Sequence, residues 1–434
     1  MKHKLVLLAV MLMAQLCAAQ TAEYRANAKS TEPGIESLNL LGADIHMPPF
    51  TDTVMGADSD FRRESYSKGV ALRNNSTLMY SQDAINSPVA ADQQVYQGQR
   101  PFLRLMANPI LTYDMHDIHF HNAQLYFAAG LTWVSWNNAG PSSMAMSALY
   151  IYKAFADGRI ETKAGYIAND FEFVGLQVGG SLSTGSQGVY AILPYEVGLS
   201  HFPLTAPSFN LKLNGPKHLY FKTGIQRSLD PSGGPATINR NSTGFRFMPK
   251  GDKLVNVYEV GVNQRATADS GQSWVRAGYI HNTTPYPNSR TGVPTPGNFC
   301  AFILADHELH QSDREHPARG IYVGASVIGT AMDLNAYTRY YEFRLYDEAP
   351  FRSRPDDTAS LVASYSTYNP WLLRNLVAQG KTVWRNASTL TASYNVHLAR
   401  GTFFSAGLSY HAGPDITPRV PNALIFSTIV NVFF

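Results

Sequence analysis

The chain has 434 residues, of which 44% are hydrophobic, 12% aromatic and only 15% charged, with a net charge of +3. So even a balance excludes the strong basic excess that a nucleic-acid partner requires. No apolar run of 18 residues follows the first twenty positions, which excludes a membrane-spanning helix, while the aromatic-rich, low-charge make-up suits strands that meet lipid.

In chain order, Met1-Lys2-His3-Lys4 is a short basic stretch, Leu5 to Met13 an apolar run, and Cys17-Ala18-Ala19 a small-residue site before Gln20. This pattern predicts a secretory signal peptide over residues 1–19. Leu16 is not the small residue that lipoprotein processing needs before its cysteine, so ordinary cleavage is expected. Removal takes Lys2 and Lys4 away, leaving 415 of 434 residues with 33 basic against 32 acidic side chains. Cys300 is then the sole cysteine, which allows neither an internal disulfide nor a cysteine metal site; it is expected to serve as a small apolar residue.

Residues 20–68 lack a strand rhythm and carry Pro33, Pro48 and Pro49, with a short helix predicted near 34–41. They are read as an N-terminal periplasmic or plug segment, or a disordered lead-in. Residues 69–434 read as a transmembrane β-barrel: all-β, antiparallel, in the outer membrane. Alternation is cleanest from Ser388 to Leu398, where Leu390, Ala392, Tyr394, Val396 and Leu398 interleave with Thr389, Thr391, Ser393, Asn395 and His397.

Sixteen strands are predicted, at about 69–81, 103–113, 123–134, 147–155, 160–168, 207–213, 218–226, 254–264, 273–281, 299–309, 320–330, 336–346, 359–368, 388–398, 402–411 and 423–434. Alternate connections are short (156–159, 214–217, 399–401), and the others include long Pro/Gly/Ser stretches (169–206, 227–253, 282–298, 369–387). Short periplasmic turns, long external loops and an even strand count are the marks of an outer-membrane barrel. Two connections fit poorly: 331–335 is short for an external loop, and 347–358 long for a periplasmic turn. In the last strand Leu424, Phe426, Thr428, Val430, Val432 and Phe434 share a face, and the terminal Phe434 resembles the signal read by the outer-membrane insertion machinery.

Strand parity separates lipid from lumen. Ile160, Thr162, Ala164 and Tyr166 suit lipid, which turns Glu161, Lys163 and Gly165 inward; Leu219, Phe221 and Ile225 face out, which turns Tyr220, Lys222 and Gln226 in. The same rule places Glu259, Trp274, Arg276, Glu342 and Arg344 in the lumen, because a Lys or Arg facing lipid at mid-membrane costs roughly 2–4 kcal/mol. The pore-lining candidates are therefore Glu161, Lys163, Tyr220, Lys222, Glu259, Trp274, Arg276, Glu342 and Arg344. Their mixed signs predict weak ion selectivity, and the combination of charges and aromatic faces suits polyols. The longest external loop, 169–206, carries Gly179-Gly180, Gly185 and Gly188; it either folds inward to narrow the pore or stays a surface loop.

Enzyme signals are weak. Gln379-Gly380-Lys381-Thr382 lacks the earlier glycine of a phosphate loop, with Asn375 in its place, and His307-Glu308-Leu309-His310 has the wrong spacing for a zinc helix. His119 and His121 share a strand face by parity and, with His116, make a weak metal candidate near a periplasmic turn. No cofactor, metal or catalytic residue is expected.

Several segments together resemble the OprB-type carbohydrate-selective porins: Ser67 to Val70 with Gln82 to Asn86, Ala148 to Phe155, Lys163 to Ile167 with Asp170 to Phe173, Tyr340-Tyr341 with Arg354 to Asp357, and Pro421 to Phe434. Thr391 departs from the family's more usual Glu, and no Gly-Gly follows Asn86. The resemblance implies a 16-stranded barrel passing mono- or oligosaccharides and polyols by diffusion, surrounded by outer-membrane lipid. A homotrimer is expected by analogy with other porins. The alternatives are a porin for other small solutes, an exit pore for exported polysaccharide, an adhesin or anchor barrel, and a secreted soluble β-protein.

Overall fold

The structure is a computed structural model describing residues 35–43, 47–136, 142–175 and 192–434. Its body is one closed sheet in which sixteen strands each pair with their sequence neighbours and the last returns to the first. The strands are β1 (Val70–Asp83), β2 (Phe102–Asp114), β3 (Ala123–Val134), β4 (Ser143–Phe155), β5 (Ile160–Ile167), β6 (Ala206–Asn214), β7 (Leu219–Arg227) and β8 (Leu254–Gln264), then β9 (Ser273–Tyr286), β10 (Thr295–Gln311), β11 (Gly320–Thr330), β12 (Tyr337–Glu348), β13 (Thr358–Tyr368), β14 (Asn386–Ala399), β15 (Thr402–Ala412) and β16 (Ala423–Phe433). All pairs are antiparallel; closure runs from Asn75↔Phe433 to Asp83↔Ile425, and beyond it Phe434 and Asn74 exchange both backbone hydrogen bonds. Closure leaves no open edge, which is what allows a sheet to sit in hydrocarbon.

The outer face carries the apolar half of each alternation. Leu219, Phe221, Ile225, Tyr258, Val260, Val327, Phe343, Leu361, Leu390 and Phe426 are exposed there. Their sequence neighbours point inward and are mostly polar. A band of this size left open to water would be unfavourable, and in a membrane it is the lipid contact.

All sixteen predicted strands are present, with shifts at their ends. β9 and β10 extend to Tyr286 and back from Thr295, so the connection expected at 282–298 shrinks to 287–294. The extensions carry Thr283, Pro285 and Pro296, with Pro285 facing Pro296 in register. Beyond the lipid, outward positions need not be apolar, so alternation fades before pairing does. The two awkward connections keep their sense. The short one, 331–336, buries Asn335, whose side chain joins Asn298 (2.8 Å) and whose carbonyl takes Asn369 (2.9 Å). The long one, 349–357, braces the β14–β15 turn through Arg354 Nη2 to the His397 carbonyl (3.0 Å) and the His397 N–H to Asp357 (2.9 Å).

Among the described residues five helices lie outside the sheet: α1 (Asp60–Ser67), α2 (Asn169–Phe173), α3 (Ile192–Glu196), α4 (Gly234–Arg240) and α5 (Pro370–Ala378). The short helix expected near 34–41 is a 3-10 helix of four residues, Ile35–Leu38. The histidine expectation needs correction. Met115–Ile118 is another 3-10 turn and His119 has φ +62, so His119 and His121 do not share a strand; His121 instead meets His116, Nδ1 to Nδ1 at 2.9 Å. Among the described residues no group of three or more His, Cys, Asp or Glu is placed to hold a metal ion.

Candidate functional site: two unlike walls of the barrel interior

Register lines up the inward charges. Glu161 faces Lys212, Lys212 faces Lys222, and Lys222 faces Glu259, a row of alternating and repeated sign across β5 to β8. A second row holds Tyr220, Gly261, Arg276, Leu304, Ser326 and Glu342. A third places Trp274, Asp306, Gly324 and Arg344 in succession. Gly324 matters here: a Cβ at that position would stand 2.3 Å from Asp306 Oδ1 and 2.7 Å from Arg344 Nε. Its absence lets Arg344 reach across a whole strand to Asp306 (Nη2 to Oδ2, 3.0 Å) while bonding Ser326 Oγ (2.6 Å) and pairing with Glu342.

The nine predicted residues all point inward, but eight of them are buried rather than bare to the lumen. Glu161 is half-buried, taking Tyr152 OH at 3.1 Å and the amide of Asn214. Lys163, Tyr220, Lys222, Glu259, Trp274, Arg276, Glu342 and Arg344 are each under 10% exposed. Around Tyr220 four of them form one group: Trp274 Nε1 donates to Tyr220 OH (3.0 Å), which donates to Glu259 (2.8 Å), while Arg276 stacks on Trp274 at 3.8 Å.

What covers this wall is the long connection between β5 and β6. Lys163 pairs with Glu172 on α2 (2.5 Å), Lys222 donates to the Glu172 carbonyl (2.6 Å), and Arg276 donates to the Gly175 carbonyl (3.0 Å). Gln226 accepts from Asn169 (2.8 Å) and from Ser200 Oγ (2.9 Å). Phe173, Val174, Leu193, Val197 and Leu199, all fully buried, pack on inward Val255, Val257, Phe302 and Tyr340. The described parts of this connection therefore fold into the barrel. The glycines expected to matter, Gly179, Gly180, Gly185 and Gly188, lie outside the described residues. Burial there pushes the Asp170 carboxyl up to about 7 and that of Glu196 up to about 8. Lys212, Asp306, Asn210 and Gln226 belong to the same wall. Parity turns them inward too, but only the register shows what they meet.

The opposite interior face is of another kind. Across β13 to β16 and β1 it is built of small hydroxyls paired between neighbouring strands: Ser360 with Ser393 (2.8 Å), Ser364 with Thr389 (2.6 Å), Thr391 with Ser409 (2.6 Å), and Ser427 with Ser81 (2.9 Å). Its charged members lie toward the two ends: Arg73 at the short-turn end of β1, and Asp83 at the long-loop end, where Tyr96 OH donates to Asp83 (2.7 Å) and ties the β1–β2 loop to the wall. Thr389, Thr391 and Ser393 were legible in sequence as a polar face, but a search for charge passes over them.

The family described as carbohydrate-selective porin, OprB family, matches residues 89–434, well over half the chain; β1 and the segment before it lie outside the match. A sequence search among curated proteins finds no match. Among solved structures, the high-pH structure of Pseudomonas putida OprB is similar with TM-score 0.74 at 14% identity, over 88% of this chain and 98% of that one. The low-pH structure of the same protein has TM-score 0.54 at 12% identity, over 89% and 100%. OmpF of Salmonella typhi, in complex with daunomycin, has TM-score 0.52 at 9% identity, over 85% and 99%. At these identities the structural likeness speaks for the fold.

Proposed function

We propose, from the premise that this chain belongs to the OprB family of carbohydrate-selective porins, that neutral sugars and polyols diffuse through its lumen between a charged, aromatic wall and a wall of paired hydroxyls. As a member of that family with a closed sixteen-strand barrel, it is an outer-membrane carbohydrate porin. Family and fold are those of a channel, so specificity must come from what lines the path and how wide it is.

The observation that carries this reading is charge cancellation within the wall. Lys163 is matched by Glu172, Arg344 by Asp306 and Glu342, and Arg276 lies 4.0 Å from Glu259. Paired this way the charges leave little net field to select ions, yet they hold the inward loop in place. The hydroxyl wall adds groups that donate and accept alike and can exchange a partner for a sugar hydroxyl at little cost. The pore-lining role of Glu161, Lys163, Tyr220, Lys222, Glu259, Trp274, Arg276, Glu342 and Arg344 is part of this proposal. Most of them act by seating the loop and fixing the width of the path.

Single-channel recording in a planar bilayer tests it. Expected are discrete openings with a reversal potential near zero in a salt gradient, and a conductance lowered by added sugars. A protein that opens no channel ends the porin assignment, and a conductance indifferent to every sugar ends the carbohydrate one.

A further inference from the structure

The segment before β1 reaches into the barrel at its short-turn, periplasmic end. On one side Thr112 Oγ1 donates to the Leu38 carbonyl (3.1 Å), Gln124 Nε2 donates to the carbonyls of Leu38 (3.3 Å) and Asn39 (3.1 Å), and the Leu41 N–H donates to Gln124 Oε1 (3.2 Å). Leu40, Leu41 and Met47 pack there on the inward rings of Tyr126, Tyr150 and Tyr152. Gly42, at φ +65, lies so close that a Cβ would stand 2.2 Å from the Tyr152 ring.

On the other side Asp52 Oδ1 accepts from the Gly401 N–H (2.8 Å) and pairs with His397 Nε2 (3.0 Å), and the Val54 N–H donates to the Phe433 carbonyl (2.8 Å). Between these two attachments Phe50 is fully buried, its ring under Arg73 at 3.6 Å and Arg62 at 4.6 Å, and Arg73 Nη1 donates to the Pro48 carbonyl (2.6 Å).

We infer that residues 35–43 and 47–56 form a strap fixed across part of the periplasmic mouth, and that this strap sets the largest sugar the pore will pass. Its attachments run from the β14–β15 turn and the end of β16, where they include backbone atoms of the rim, across β1 to β4, where they meet the inward side chains of Arg73, Thr112, Gln124 and Tyr152, so that on this side its bulk occupies passage. The inward loop narrows the lumen against β5 to β12, a different part of the wall, so the two restrictions act in series. The inference rests on the porin reading above. Barrel closure does not use the strap: β1 pairs with β16 and β2 through their own backbones. Polar groups uncovered by its loss, such as Gln124 and Thr112, would meet lumen water.

Three variants test it in planar bilayers and in liposome swelling with sugars of increasing length: Gly42→Val, which the Tyr152 ring cannot accommodate, Asp52→Ala, and removal of residues 35–56. Removal should raise single-channel conductance about twofold, since conductance follows pore width, and admit sugars at least one hexose longer than the parent does. The point variants should shift both readings in the same direction by less. A folded deletion variant with the parent's conductance and size limit overturns the inference. Should the deletion fail to fold, Gly42→Val combined with Asp52→Ala decides it on the same two readings. A parent protein that opens no channel would overturn the porin reading itself, which separates the two failures.

Discussion

Arg344 shows what one side chain contributes. It is 2% exposed and holds two carboxylates, Asp306 and Glu342, that would otherwise be buried together. Parity turns both Glu342 and Arg344 inward in the sequence, but the partner Asp306 sits two strands away, and only register brings it near. Gly324 gives no chemical signal at all, yet it clears the way between them. Arg344→Leu should lower stability by about 3–5 kcal/mol, the cost of stranding buried charge. The temperature at which the detergent-held barrel loses its compact gel mobility would read this. Adding Asp306→Asn and Glu342→Gln to Arg344→Leu should recover much of the loss, because no stranded charge then remains. Gly324→Ala should cost part of the same amount by pushing Asp306 and Arg344 apart.

At the scale of elements, the inward-folded connection carries two carboxyls that burial disfavours as ions. Glu196 accepts the Tyr337 N–H at 3.1 Å, and its carboxyl is pushed from 4.5 up to about 8; Asp170 is pushed from 3.8 up to about 7. A carboxyl raised in the fold is held as the acid, so its packing is at full strength below the unfolded value and is lost as pH climbs through the folded one. The seat of α2 and α3 should therefore weaken between about pH 4 and pH 8. Amide hydrogen exchange over residues 192–199, corrected for the intrinsic rate, should speed up across that window, and Glu196→Gln should flatten the rise. A rate independent of pH in the parent would contradict the burial of these groups. Sequence left this connection open between an inward fold and a surface loop, since nothing local says what Phe173 or Leu193 will touch. The hydroxyl wall is the converse case, with its residues in plain view and its pairing hidden until the strands are in register. Thr391→Val should cut sugar flux in liposome swelling several-fold more than it cuts salt conductance, because it removes one hydroxyl and leaves Ser409 without its partner.

For the whole molecule, much was legible because lipid imposes a simple rule. Facing hydrocarbon on one side and water on the other forces an alternation with period two, and that alternation marks strand number, order and facing wherever lipid reaches. Where lipid stops, as in the extensions of β9 and β10 or the strap before β1, the rule is silent and tertiary contact decides. The facing assignment can be tested at two adjacent positions of one strand. In β13, Leu361 is 43% exposed on the outer wall and Val362 is 4% exposed on the inner one. A lysine at the outer site must leave its ammonium in hydrocarbon or bend toward a distant headgroup, at roughly 2–4 kcal/mol. At the inner site the same side chain disturbs local packing but can extend into the wet lumen. Leu361→Lys should therefore lower the urea midpoint of the barrel in lipid vesicles well below that of Val362→Lys. Because neighbouring residues point to opposite faces, a one-residue slip in register would reverse the order of the two midpoints. Near-equal midpoints would place both positions in water, and β13 would then not face lipid.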